Sequence, residues 1–159
     1  MDLFLDIETR SFPRLRASRQ YITVVGFYHE QTGLAQMIWP DITKDSLLDV
    51  LPKADHVYTY NGNNFDLPVI RHQLGLDLHD HYKSRDLMYA CWREGLKGGL
   101  KAVERQLGIS RTEHLDNWDI QRCWTAWKHK GDDEALKRLL KYNEEDVMNL
   151  VEVKNHLGL

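Results

Sequence analysis

The sequence predicts an α/β protein built on a mixed sheet of about five strands flanked by helices. Three observations predict it. Residues 3–39 carry three strand-like runs joined by short links, the pattern of an antiparallel meander. Residues 43–86 then alternate helix and strand signals, as parallel strands with crossovers require. Beyond residue 100, apolar positions recur at helical spacing.

Residues 3–8 read as a buried strand, and residues 10–18 as a basic loop containing Pro13. Residues 21–29 are rich in β-branched and aromatic side chains and form the second strand. Residues 30–33 have hairpin length, and residues 34–39 are a third strand ended by Pro40. Thr43 caps a short helix that buries Leu47, Leu48 and Leu51, and Pro52 stops it. Residues 56–60 are the next strand. A helix over 65–74 follows, with Asn63 or Asn64 as its cap, Pro68 tolerated in its first turn and Gly75 as its stop. Residues 82–86 are a short fifth strand. Leu100, Val103 and Leu107 mark a helix closed by Gly108, and residues 118–128 mark another. Residues 132–157 form one long helix or two in tandem, with Leu136, Leu139, Leu140, Val147, Leu150 and Val151 at helical spacing.

A chain of 159 residues, 42% hydrophobic and 28% charged, is expected to form one domain, residues 1–159, around a single core. No apolar run approaches the ~20 residues of a membrane span, and no basic leader precedes Leu3. The reading is therefore a cytoplasmic protein with no membrane partner. Cys91 and Cys123 form no CxxC unit and read as buried free thiols. The net charge of −3 argues mildly against nucleic acid as a partner. A cluster of acids offset by bound cations would remove that objection. Arg10, Arg14, Arg16 and Arg19 share one stretch free of acids, and Lys128, Lys130, Lys137, Arg138 and Lys141 form a second basic region.

Three segments place carboxylates where hydrophobic elements begin, end or turn. Asp6 and Glu8 lie two apart on a strand, so they share one face at roughly 6–7 Å, while Leu5 and Ile7 point to the other. Asp66 follows the Tyr60-Asn61-Gly62 turn, in the first turn of a helix, at the end of a strand where α/β sheets hold ligands. Gly62 supplies the turn's conformational freedom. Tyr142 and Asp146 are four apart on a helix, within roughly 6 Å on one face. Asp146 there shares the apolar side with Leu139 and Leu150, and Glu144 and Glu145 face solvent. A carboxylate among apolar residues wants a metal or a partner charge. His79-Asp80-His81 is a polar turn with no further zinc ligand, Asp116 and Asp119 are capping residues, and Trp118, Trp124 and Trp127 are packing residues.

Together, Asp6-Ile7-Glu8, Tyr60-Asn61-Gly62-Asn63-Asn64-Phe65-Asp66 and Tyr142 to Asp146 resemble the three motifs of the DEDD-type 3′–5′ exonucleases, in the tyrosine-bearing DEDDy branch. The resemblance runs from Leu3 to about Leu150. It is strongest to small predicted exonucleases related to the proofreading domain of family-B DNA polymerases. It implies a ribonuclease H-like fold and two divalent cations, Mg²⁺ or Mn²⁺, held by Asp6, Glu8, Asp66 and Asp146. Asp6 would bridge both cations, Glu8 and Asp146 would complete one shell, and Asp66 would hold the second, partly through water. Tyr142 would orient the attacking water. Thr9, Arg10, Asn61 and Phe65 would touch substrate, and Arg14 and Arg16 would follow its backbone.

The expected activity is 3′–5′ exonucleolytic hydrolysis of single-stranded DNA or RNA ends, releasing nucleoside monophosphates. Two alternatives stay open: a ribonuclease H-type endonuclease on hybrid or structured duplex, and a non-catalytic nucleic-acid-binding subunit of the same fold. The sequence carries no recognisable polymerase, helicase or separate nucleic-acid-binding domain, which leaves room for a larger protein complex to deliver substrate.

Overall fold

The computed structural model describes residues 1–10 and 20–159. Most of the expected basic loop, including Arg14 and Arg16, lies outside the described residues. Strands β1 (Asp2–Arg10), β2 (Tyr21–His29) and β3 (Gly33–Ile38) form the antiparallel meander. Helix α1 (Lys44–Val50) leads into β4 (His56–Thr59), and α2 (Asp66–Leu74) leads toward β5 (Lys83–Asp86). The described sheet has the order β3-β2-β1-β4-β5, with β4 parallel to both β1 and β5. The C-terminal half holds α3 (Leu87–Arg93), α4 (Leu100–Leu107), α5 (Asn117–Lys130) and α6 (Asp133–His156).

Local chemistry explains the boundaries. Thr43 and Ser46 form a capping box on α1, and Asp116 and Asp119 form one on α5. Helix α3 is shorter than pattern reading resolves; Asp86 starts it by accepting from the Met88 amide at 3.1 Å. Residues 133–156 contain neither glycine nor proline, so α6 runs as one helix, capped by Asp132 through the Ala135 amide at 3.1 Å. Neither Asn63 nor Asn64 caps α2. Its N-cap is Phe65, which makes no side-chain cap bond.

β1 is the middle strand, and its period of two divides the core. Leu3, Leu5 and Ile7 pack with Leu47, Leu67 and Ile70 on the side of α1 and α2. Phe4 packs with Tyr58, Val147, Leu150 and Val153 on the side of α6. Each such burial is worth about 1.5–3 kcal/mol, so the register of β1 is strongly fixed. A slip by one residue would bury Asp6 and Glu8 among leucines. Cys91 and Cys123 are free and buried. Trp124 is buried between β2 and α6, Trp127 packs beside it, and Trp118 is exposed.

Gly26 sits opposite Asp6 in the sheet. A methyl group there would run into the buried Asn143 side chain and approach Val147. The glycine lets α6 lie close against the sheet at this level. Gly26→Ala should lower unfolding free energy by about 1–3 kcal/mol through overpacking, measured by denaturant titration. Wild-type stability in that variant would show that α6 has room to move.

Candidate active site

Residues from the two ends of the chain meet above the middle of the sheet. β1 presents Asp6 and Glu8 on the α6 face, and α6 presents Tyr142, Asn143 and Asp146 toward them. Asn143 is fully buried. Its amide nitrogen donates to Asp6 Oδ2 at 3.1 Å and to the Asp6 carbonyl at 3.3 Å, while its oxygen accepts from Gln36 at 3.0 Å. One helical turn from Tyr142, Asp146 completes the group: ligand oxygens of Asp6, Glu8 and Asp146 all lie within 4.8 Å of one another. Glu8 Oε1 is buried and has no hydrogen-bond partner among the described residues.

Asp66 stands beside this group rather than in it. Its Oδ2 accepts from the Ile7 amide at 3.2 Å. Pairing of β1 with β4 reaches only Phe4 and Tyr58, so the Asp66 carboxylate serves the strand beyond the end of its neighbour.

Two cations face the acids. Lys101, at the start of α4, donates to both oxygens of Asp146, at 3.0 and 3.2 Å, and lies 4.2 Å above the Tyr142 ring. Arg111 is buried between two acids. It donates to both Glu104 oxygens at 3.0 Å and also to Asp146 Oδ1. Glu104 Oε1 in turn accepts from Asn149 at 3.0 Å. Sequence reasoning passed over Arg111, Glu104 and Asn143. For Asn143 the legible trace was Gly26, a glycine inside a strand that marks close approach of a neighbour; Arg111 and Glu104 left none. Glu145 was expected in solvent and is buried. It accepts from the Thr112 and Glu113 amides at 2.8 and 3.0 Å, anchoring the loop that carries Arg111. The second basic region is mostly engaged: Lys137 with Glu134, Arg138 with Glu113, Lys141 with Glu144, and Lys128 over Trp39.

The acids resist ionisation. Burial, then the charges of Asp146, Glu8 and Asp66, holds the Asp6 carboxyl well above its ordinary range. Burial and then Asp146 do the same for Glu8. Burial pushes Asp66 up to about 7, against the pull of its backbone hydrogen bonds. Burial also raises Asp146, and Lys101 and Arg111 hold it down. The Tyr142 phenol is raised by burial and by Asp146, Glu8 and Asp6, so it remains a proton donor. All-oxygen donors, their convergence and the unpartnered Glu8 oxygen fit a hard divalent cation, which Asp6, Glu8 and Asp146 can hold with Asp66 alongside.

The remaining candidates surround this group. Asn61 takes a left-handed conformation, φ 59°, so the turn's strain falls on it and not on Gly62. Gly62 is needed because a methyl group there would collide with the buried Thr59 side chain. The Asn61 amide donates to Asp86 at 2.8 Å, and Phe65 is 37% exposed at the end of the loop. Thr9 and Arg10 follow a register shift in the β1–β2 ladder. Gln121 on α5 donates to the Thr9 carbonyl at 2.9 Å and accepts from Arg10 at 2.8 Å. Arg14 and Arg16 lie outside the described residues.

Residues 3–158 match RNase_H_2, a family of the RNase H superfamily. Among solved structures, the chain is similar to a family B DNA polymerase from the hyperthermophilic archaeon Pyrobaculum calidifontis, at 17% identity and a TM-score of 0.75. That match covers 98% of this chain and 24% of the polymerase, so the chain spans about a quarter of that protein's length. It is also similar to Brucella melitensis NrnC, at 16% identity and a TM-score of 0.64, covering 99% of this chain and 72% of NrnC. For NrnC bound to pGG the values are 14% and 0.56, covering 99% and 74%. No curated protein matches by sequence. Among the described residues, no helix is long and apolar enough to cross a membrane.

The raised carboxyls set a pH dependence for the metal-free protein. The folded state keeps protons that the unfolded chain has released, so stability falls as pH rises through and beyond the ordinary carboxylate range toward the Asp66 value of about 7. In chelator, the melting temperature should therefore drop between about pH 5 and 8, and saturating Mg²⁺ or Mn²⁺ should raise it most at the alkaline end. A melting temperature in chelator that rises across that range would contradict the burial of these groups.

Proposed function

The chain belongs to the RNase H superfamily, and on that premise we propose that it is a metal-dependent 3′–5′ exonuclease acting on single-stranded DNA or RNA ends. The observation that carries this reading is the meeting of Asp6, Glu8 and Asp146 within 4.8 Å, with Tyr142 one turn before Asp146. Two divalent cations, when bound, supply water activation on one side of a phosphodiester and charge stabilisation on the other. Asp6, Glu8 and Asp146 would hold the first, and Asp66 would assist the second. Similarity of fold to a protein solved with pGG is in keeping with a nucleic-acid ligand.

The chain's own residues divide the work. Asn143 fixes the Asp6 carboxylate through its amide, and Gln36 fixes Asn143. Lys101 and Arg111 donate to Asp146 and offset part of the upward push that burial gives its carboxyl. The Tyr142 hydroxyl stays protonated and so orients the attacking water as a hydrogen-bond donor rather than removing its proton. In this reading Asn61, Phe65, Thr9 and Arg10 would contact the terminal nucleotides, which is in keeping with the exposure of Phe65 at the end of the loop before Asp66. The chain works as one domain, in the cytoplasm, on substrate delivered free or by a larger complex.

Oligonucleotides labelled at either end test this directly. With Mg²⁺ or Mn²⁺, the 5′-labelled strand should shorten as a ladder from its 3′ end, and chelator should stop the reaction. Internal cuts would replace the exonuclease by a ribonuclease H-type endonuclease, and binding without product by a non-catalytic subunit.

Tyr142→Phe keeps the ring under Lys101 and removes only the hydroxyl. Loss of one orienting hydrogen bond at the transition state, about 1.4–2.7 kcal/mol, predicts a 10–100-fold slower kcat. Metal titration and melting temperature should stay near wild type. Full kcat in single-turnover measurements would remove the tyrosine from the mechanism.

A further inference from the structure

A cavity of about 520 Å³ lies between β5 and α3, apart from the carboxylate group. Its size is that of small-molecule and nucleotide sites. Tyr58, Asn63, Arg85, Tyr89 and Arg93 line it. Arg85 and Arg93 are exposed, and among the described residues no hydrogen bond or ion pair engages either guanidinium. The Asp86 side chain in the wall is engaged by three backbone amides, of Asn61, Asn63 and Met88, and Leu159 at the end of the chain also lines the cavity. Two exposed guanidinium groups therefore stand at one opening, beside a carboxylate whose oxygens backbone amides already hold.

The loop that follows β4 borders the cavity and leads into Asp66 beside the candidate active site. Asn63 is in its wall and accepts from Ser84 at 2.5 Å. Asn64 donates at 2.8 Å both to Asn61 Oδ1 and to the Tyr89 hydroxyl. The loop that carries Asn61 and Phe65 thus also pins Tyr89. Tyr89 and Trp92 are 39% and 40% exposed, and their rings meet edge to face at 5.8 Å. Exposed aromatic rings beside unpaired arginines provide what a single strand needs: surfaces for bases and cations for phosphates.

We propose that this cavity is a second nucleotide-binding site, holding a base and phosphate of the single strand at a distance from the end being cut. It rests on the nucleic-acid reading above and adds the path of the strand: from the carboxylates, over the Asn61–Asn64 turn, to Tyr89, Arg85 and Arg93. The site tracks the backbone and reads no sequence.

The test compares wild type with Arg85→Ala/Arg93→Ala, using a single-stranded octanucleotide and a dinucleotide. Binding is followed by fluorescence anisotropy in Ca²⁺ across a salt series, and cleavage by KM and kcat. Losing two phosphate contacts should flatten the salt slope for the octanucleotide by about 1.4 and weaken its binding several-fold. Dinucleotide binding, kcat and melting temperature should not change. Arg85→Lys/Arg93→Lys should recover most of the slope, since the charge remains. An unchanged octanucleotide slope overturns the site, and so does an equal loss for both substrates. If the wild type cleaves no oligonucleotide, the exonuclease reading falls alone, because the anisotropy comparison still decides the cavity.

Discussion

Repulsion among buried carboxylates is the constraint around which the rest of this molecule is arranged. Two ionised carboxylates about 4.8 Å apart repel by roughly 3.5 kcal/mol at an effective dielectric of ~20. Three such pairs come to about 10 kcal/mol, comparable to the whole stability of a domain. The fold can hold Asp6, Glu8 and Asp146 together only if protons, protein cations or metal ions reduce that charge. The raised carboxyls of Asp6 and Glu8 and the ion pairs of Asp146 are the protein's share of the answer.

That share is laid out along one helix. α6 carries Tyr142, Asn143, Glu145, Asp146 and Asn149, and together they reach several neighbouring elements. Asn143 reaches β1, Asn149 reaches Glu104 on α4, and Glu145 holds the backbone of the loop after α4. Arg111, on that loop, joins Glu104 to Asp146. Breaking a buried pair of this kind is costlier than never forming it, because the survivor is left charged and dry. The same contacts that place Asp146 therefore also dock α4 and the loop after it against α6.

Much of this was legible in the sequence. β1 announced itself by alternation: Leu3, Leu5 and Ile7 on one face, Asp6 and Glu8 on the other. β2 matched its predicted span, and Gly75 and Gly108 ended their helices as expected. Tyr142 and Asp146 fell on one helical face at a spacing the structure keeps. What stayed hidden depended on tertiary contact. Arg111 looks like any loop arginine until Glu145 fixes its loop, and Glu145 looks solvent-facing until Thr112 meets it. The pairing of Lys101 with Asp146 joins residues 45 positions apart and leaves no local pattern. The Asn63 or Asn64 cap failed because other partners, Ser84 and Tyr89, claimed both side chains.

The contact between Asn143 and Asp6 spans 137 positions of the chain. During synthesis at about 5–20 residues per second, roughly 7–27 s separate the two residues. In that interval β1 exists with its acids but without the helix that gathers them. A chain truncated before α6 keeps Asp6 and Glu8 and loses Asp146, Asn143 and Tyr142 together, and with them the carboxylate cluster. The centre is thus assembled late, from contacts between distant parts of the sequence. Any chemistry it performs is withheld until translation has passed α6 and the helix has docked.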